Sequence, residues 1–161
     1  MTIDELEAYG TERMDADEID QLLSNQGTGV LALPTDGAPI MRPLSFHFDG
    51  NSALHFVYVV GEESRKAELS DRANAARFLA YRMETPFNWR SVLLAGTISR
   101  VPESEAETVR EAMETTRPDL LRRAMATENT GLYRFDVEER TGVKHLGLPP
   151  KLEDDGDGAA E

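Results

Sequence analysis

The pattern that most constrains the fold of this chain is a series of three strand-like runs separated by two turn signals. The runs are Thr28 to Pro34, Pro39 to Phe48 and Ala53 to Val60. Asp36-Gly37 after the first run is a strong signal for a tight hairpin, and Asp49-Gly50-Asn51 after the second is another turn. Pro43 cannot donate to a strand ladder, so it predicts an edge or a bulge in the second run. This region is therefore predicted to form an antiparallel meander of three strands.

The rest of the chain is predicted to add three strands and a few helices. The further strand-like runs are Ala76 to Met83, Ser91 to Val101 and Gly131 to Glu138, with a resumption from Val143 to Leu146 left open. The helix-like segments are Asp15 to Gln26, Ser64 to Ala73 and Glu103 to Ala126, the last being one helix or two with a break near Pro118. Six strands with few long helices predict an all-β domain with peripheral helices, a small six-stranded antiparallel barrel over residues 1–150. The acidic, glycine-rich residues 151–161 predict a disordered tail.

Charge and composition exclude several classes of function. The formal net charge of -13 argues against nucleic-acid binding, which needs a basic face. The chain has no cysteine, which excludes disulfides and thiolate chemistry. No apolar run approaches the roughly 20 residues that span a bilayer, and the acidic N-terminus does not resemble a signal peptide, so a cytoplasmic protein without membrane association is expected. Thirty acidic residues with three lysines against fourteen arginines predict a halophilic protein, because molar salt screens the surplus carboxylates.

One short segment is locally basic despite the acidic composition. Ser64-Arg65-Lys66 stands where a strand-like run gives way to a helix-like one, and it holds one of the three lysines. Hydroxyl, guanidinium and ammonium donors beside the free N–H groups of a helix start can form a phosphate site. If only the tripeptide is considered, a solvated basic pair is the better interpretation. The surrounding sequence decides between a solvated pair and a phosphate site.

The surrounding residues resemble a known family in their order and spacing. The matching pieces run from about Glu18 to Val101. They are Leu22-Leu23, the strand Gly29 to Leu33, Asp36 to Pro39, Arg42 to His47, Leu54 to Val57, Gly61 with Ser64 to Ala67, Trp89 to Val92, and Gly96. This set resembles the pyridoxamine 5'-phosphate oxidase-like, FMN-binding split-barrel family. The resemblance implies that the six-stranded barrel is a split barrel.

The resemblance also implies a set of cofactor-binding residues. Arg65 and Lys66, with Ser64, match the segment that grips the FMN phosphate, and Arg42 matches the family's first phosphate arginine. The residues implied to edge the flavin ring or to contact the cofactor from a strand are Leu44, Ser45, His47, Phe56 and Val57. Ser91 matches a polar residue that reaches the ring from the partner subunit, and Trp89 is interpreted as an aromatic at the rim or interface.

The implied function is that of an FMN-dependent oxidoreductase acting as a homodimer on a small-molecule substrate. Three alternatives stay open: a deazaflavin in place of FMN, a flavin store or haem-binding module without turnover, and an assembly partner. Pyridoxamine phosphate oxidase activity itself is disfavoured, because the family's arginine- and tryptophan-rich C-terminal stretch is missing. No catalytic residue is identified. His47, His55 and His145 lack the spacing of a metal site and are interpreted as isolated strand histidines.

Overall fold

The computed structural model describes residues 10–59, 75–119, 122 and 130–147. Eight strands and two helices with both ends described lie within these residues, and residues 118, 119 and 122 are also helical. The strands are β1 (Thr11–Arg13), β2 (Thr28–Leu33), β3 (Ile40–Ser45), β4 (His47–Phe48), β5 (Ala53–Val59), β6 (Ala76–Thr85), β7 (Asn88–Arg100) and β8 (Thr130–Leu146). The helices are α1 (Ala16–Asn25) and α2 (Glu103–Thr116).

The strands form one antiparallel sheet that curls into a half-barrel. Its order is β3-β2-β6-β7-β8-β5-β4, with β1 paired to β8 beside this path. The two ends of the path, β3 and β4, are consecutive in the chain, so the sheet turns back toward its own beginning. β3 contacts β5 without pairing with it, and the gap between these strands is the split of the barrel. The predicted split-barrel class is therefore confirmed.

All six predicted strands are present, but the described residues hold two more strands than predicted. β1 was not predicted. The second run is divided at Phe46. Its backbone N–H donates to the Gly27 carbonyl at 3.0 Å in continuation of the β2–β3 register, and the residues that follow pair with β5 instead. Pro43 lies on β3, an edge strand of the path, as its missing N–H predicted. β8 runs without a break to Leu146. The segment from Val143 to Leu146, which the sequence left open, is therefore part of this strand.

The barrel interior is an aromatic core closed at one end by α1. Phe78 contacts Phe46 edge-on at 5.1 Å between ring centroids and Phe56 at 5.3 Å, and all three are fully buried. The helix begins after Asp15, whose carboxylate accepts from the Glu18 N–H at 2.8 Å in a capping box. Three apolar residues of α1 pack into the core: Ile19, Leu22 and Leu23. The predicted helix over Asp15 to Gln26 is thus confirmed.

A second, smaller core lies on the outer side of the sheet under α2. Ala106, Val109 and Met113 of this helix pack with Val101 and Leu132. The helix ends at Thr116 before Pro118, so the predicted break near that proline is confirmed. The predicted helix over residues 64–73 and the predicted tail over residues 151–161 lie outside the described residues. Neither helix of the described part is long and apolar enough to cross a membrane.

Candidate functional site

The split brings together predicted site residues from two strands. β3 carries Arg42 and Ser45, and β5 carries Val57. His47 of β4 lies directly opposite His55 of β5. Extending that register backwards along the chain sets Ser45 level with Val57, and sets Arg42 just beyond the end of β5. This extended register would place Arg42 at the end of the split at which β5 ends.

The side chains at the split differ in their exposure. Arg42 is exposed, and its Nη1 donates to the neighbouring Met41 carbonyl at 3.1 Å. Leu44 is half-buried against the aromatic core, and Ser45 is exposed. Phe56 is fully buried in that core, so only its backbone could contact a ligand in the split. Val57 is half-buried against the apolar cluster under α2.

A polar pocket of about 330 Å³ opens beside Ser45, and we call it the Ser45 pocket. It is lined by Gly27, Thr28, Ser45, Phe46, Thr116, Arg117, Pro118 and Asp119. Arg117 holds its guanidinium against the start of β2, where Nη2 donates to the Gln26 carbonyl at 2.8 Å. A Cβ at position 27 would lie 2.8 Å from Nη1 of this arginine, so the glycine makes room for it. The sequence analysis did not identify Arg117.

His47 is packed between the sheet and α2, whereas the family resemblance implied that it lies at the edge of the flavin ring. Its side chain is buried, and its Nδ1 lies 2.8 Å from Thr116 Oγ1. The Thr116 hydroxyl also donates to the Ala112 carbonyl at 3.0 Å. A hydroxyl has one hydrogen, so the two contacts are satisfied together when His47 donates from Nδ1. This bond fixes the end of α2 next to Arg117.

The histidines on β4 and β5 are not isolated, so that interpretation was wrong. The imidazoles of His47 and His55 stack with ring centroids 6.0 Å apart. Arg134 on β8 directs its Nε to Nε2 of His55 at 3.4 Å, while its Nη1 forms an ion pair with Glu105 at 3.0 Å. The sequence analysis did not identify the group formed by His55, Arg134 and Glu105.

Burial keeps this histidine pair in its neutral form. Burial and the neighbouring Arg134 guanidinium lower the pKa of His55 to about 4. Burial also lowers the pKa of His47, although the Asp49 carboxylate opposes the shift. Among the described residues, no group of three or more possible ligands could hold a metal ion.

A model of the family described as pyridoxamine 5'-phosphate oxidase matches residues 15–144. The chain belongs to this family. The match covers most of the chain and includes α1, α2, the strands from β2 to β7 and all but the last two residues of β8. No protein among the curated sequences matches significantly.

Solved structures similar to this family member have low sequence identity. An FAD-binding protein from Mesorhizobium loti superposes with a TM-score of 0.71 at 17% identity, covering 85% of this chain and 98% of its own. The FAD and haem binding protein from Mycobacterium smegmatis gives a TM-score of 0.72 at 16% identity, covering 94% and 81%. A pyridoxamine 5'-phosphate oxidase homologue from Corynebacterium glutamicum gives 0.65 at 17%, covering 86% and 97%. These likenesses show the shared fold.

Two residues that the family resemblance implicates lie away from the split in one chain. Trp89 and Ser91 are on β7, which β2 and β6 separate from β3, a distance of roughly 14 Å at about 4.8 Å per strand. Ser91 stands between Tyr81 and Val143 on the neighbouring strands, and Trp89 stacks on His145 at 6.2 Å. A role for Ser91 at the cofactor of a partner subunit stays a prediction. Ser64, Arg65 and Lys66 lie outside the described residues.

Proposed function

We propose that this family member binds FMN in the split between β3 and β5 and acts as a flavin-dependent oxidoreductase on a small-molecule substrate. The observation that carries the proposal is the position of Arg42. It is an exposed cation at the end of the split from which the chain continues to Ser64-Arg65-Lys66. The dianionic phosphate of FMN suits guanidinium forks combined with an ammonium group.

The described walls of the split suit the remainder of a flavin. One guanidinium nitrogen of Arg42 donates to the chain's own carbonyl, which leaves its other N–H groups for a phosphate. Leu44 and Val57 supply apolar contact, and Ser45 supplies an exposed hydroxyl at the same level. A flavin bound there would supply hydride and single-electron chemistry, while the protein would position it and control access.

The Ser45 pocket is the proposed entry point for the substrate. Thr28 and Ser45 offer hydroxyl groups there, and the half-buried Arg117 offers a guanidinium beside them. These donors favour a substrate with a carbonyl or carboxylate group. The hydrogen bond from His47 to Thr116 would keep Arg117 in position, so His47 would act on the substrate indirectly.

We also propose that the protein functions as a homodimer through the outer face of β6 and β7. Leu93 is 41% exposed and Met83 63% exposed on this face, and Leu79 lies directly opposite Leu93. Large exposed apolar side chains on neighbouring strands favour association. Ser91 lies on the same face, so a second copy seated there would bring its Ser91 toward the first copy.

Binding of FMN and of riboflavin by Arg42→Gln tests the proposal. Loss of a charge-assisted hydrogen bond of about 1.5–3 kcal/mol should weaken FMN by roughly tenfold or more, while riboflavin, which lacks the phosphate, should change little. Arg110→Gln, at an exposed position on α2, is the matched control and should bind both like the parent. Equal losses for both ligands in Arg42→Gln would show that the phosphate lies elsewhere.

The absorption and fluorescence spectra of the purified protein separate the cofactor alternatives. A deazaflavin also carries a phosphate, so the cations of the split do not distinguish it from FMN, whereas its spectrum does. Flavin bound without oxidation of any reduced nucleotide would favour the non-catalytic alternatives. A protein that binds neither cofactor would refute the proposed function.

A further inference from the structure

A row of three cations crosses three neighbouring strands of this acidic protein. Arg82 on β6 lies directly opposite Arg90 on β7, and Arg90 lies directly opposite Lys144 on β8. Like charges at directly opposite positions of a sheet destabilise it unless other groups compensate them. Because the chain carries a net charge of -13, such a row calls for a specific explanation.

The two outer cations of the row have carboxylate partners, and the central one has none in the part of the chain that the structure describes. Arg82 forms an ion pair with Glu84 at 2.6 Å, and Lys144 with Glu18 at 2.5 Å. Both carboxylates are thereby engaged. Arg90 is half-buried and has no ion pair or hydrogen bond from its side chain to another described residue. Its charge is therefore the one that a ligand could neutralise.

A polar pocket of about 270 Å³ lies in front of Arg90, between the row and α1. It is lined by Glu18, Gln21, Leu22, Asn25, Gln26, Arg82 and Arg90. Gln26 already donates its Nε2 to the Tyr81 carbonyl at 2.8 Å, while Gln21 and Asn25 are exposed amides at the pocket wall. Two guanidinium groups with amide donors around a small space suit a compact oxyanion better than a large planar ligand.

We propose that this pocket binds inorganic phosphate or a small phosphomonoester, held by Arg90 and Arg82. The site is separate from the split, because Arg90 lies opposite Lys144 near the end of β8, whereas β5 pairs with residues 130–136 at the beginning of that strand. It does not depend on the proposed flavin function. A phosphate there compensates the middle of the row, where two arginines face each other without a shared carboxylate.

A simpler role for Arg90 makes a different prediction. The carboxyl end of α1 is next to the pocket and has no basic residue in its own last turn. A cation near a helix C-terminus stabilises the helix without any ligand. In that case Arg90→Gln would lower the melting temperature equally with and without phosphate.

Titration with inorganic phosphate at constant ionic strength tests the proposal on the full chain. The parent protein should bind phosphate, and adding Arg90→Gln to Arg42→Gln should weaken the phosphate binding of that variant at least tenfold. The proposed flavin site would also bind phosphate, so Arg42→Gln is titrated in parallel. The phosphate binding that remains in Arg42→Gln must depend on Arg90. Arg90→Lys, which keeps the charge but loses the fork, should give an intermediate affinity. Arg110→Gln is the control and should bind like the parent.

The outcome of the thermal measurements decides between the two roles of Arg90. Phosphate should raise the melting temperature of the parent and of Arg42→Gln, and this increase should disappear in the double variant Arg42→Gln, Arg90→Gln. If Arg90→Gln does not fold, Arg82→Gln carries the test, because Arg82 is largely exposed and its loss should weaken phosphate severalfold. The proposal would be overturned if phosphate raised the melting temperature of the double variant as much as that of Arg42→Gln, or if Arg42→Gln bound no phosphate.

Discussion

Acid sensitivity at His55 is the most direct consequence of the buried histidine pair. Burial and Arg134 lower the pKa of His55 to about 4, whereas in an unfolded chain the pKa of a histidine stays near its ordinary value of 6.5. Below pH 6.5 the unfolded state therefore binds more protons than the folded state. Stability is unaffected by this group above that value and falls as the pH drops from 6.5 toward 4.

The size of the effect follows from the width of that window. Each pH unit inside it contributes about 1.4 kcal/mol for one proton, so at pH 5 the loss from His55 is about 2 kcal/mol. With a urea dependence of about 1–3 kcal/mol per molar, the midpoint of unfolding should fall by roughly 1 M between pH 7 and pH 5. The geometry explains the preference for the neutral ring, since Nε2 accepts from Arg134 and an added proton there would face another N–H.

The matched variant is His55→Gln, which offers an oxygen to Arg134 but does not titrate. Urea unfolding of parent and variant at pH 7, 6 and 5 in molar KCl compares the two proteins with their carboxylates screened alike. The parent should lose about 2 kcal/mol more than the variant by pH 5. The double variant with His47→Gln should be flatter still, because burial also lowers the pKa of His47. A parent-minus-variant difference that does not change between pH 7 and pH 5 would refute this account.

Three further predictions concern the core, the surface charge and the proposed dimer. Phe78→Ala should cost about 3–5 kcal/mol in chemical denaturation, because Phe78 is fully buried among aromatic rings, whereas Met83→Ala, which is 63% exposed, should cost little. The melting temperature should rise from dilute to molar KCl, since salt screens the surplus carboxylates, and a flat response would remove the halophilic interpretation. Leu93→Arg should give a monomer by light scattering where the parent is a dimer, and a monomeric parent would contradict the proposed interface.

Local patterns were sufficient to predict most of the sheet, and the exceptions depend on long-range contacts. Asp36-Gly37 and the apolar run before it predicted the β2–β3 hairpin from neighbouring residues alone. The division of the second run at Phe46 was not predictable in this way, because the residues before it pair with β2 and the residues after it pair with β5. β1 has only three residues, and it is a strand because Thr11 and its neighbours pair with β8 far along the chain.

The histidine pair shows a signal that could have been used. A hairpin centred on Gly50, the middle of Asp49-Gly50-Asn51, would set His47 opposite Ala53, whereas the observed hairpin is centred on Asn51 and sets His47 opposite His55. In both registers the two histidines lie on the same face of the hairpin. The sequence therefore indicated their shared face. The sequence did not indicate that α2 would cover the two histidines, because the helix residue that contacts His47, Thr116, is 69 residues away in the chain.

The two proposed anion sites differ in how the sequence encodes them, and this difference explains why only one was predicted. The flavin phosphate residues include a continuous tripeptide, so a linear reading can find them. Arg82 lies on a predicted strand and Arg90 lies just before the start of the next one, but Lys144 joins them only because β8 pairs with β7. Each of these residues alone is an ordinary exposed or half-exposed cation. A charge row of this kind can be recognised only when the strand order and register are known. The proposal depends on knowing which cation of the row has no carboxylate partner among the described residues.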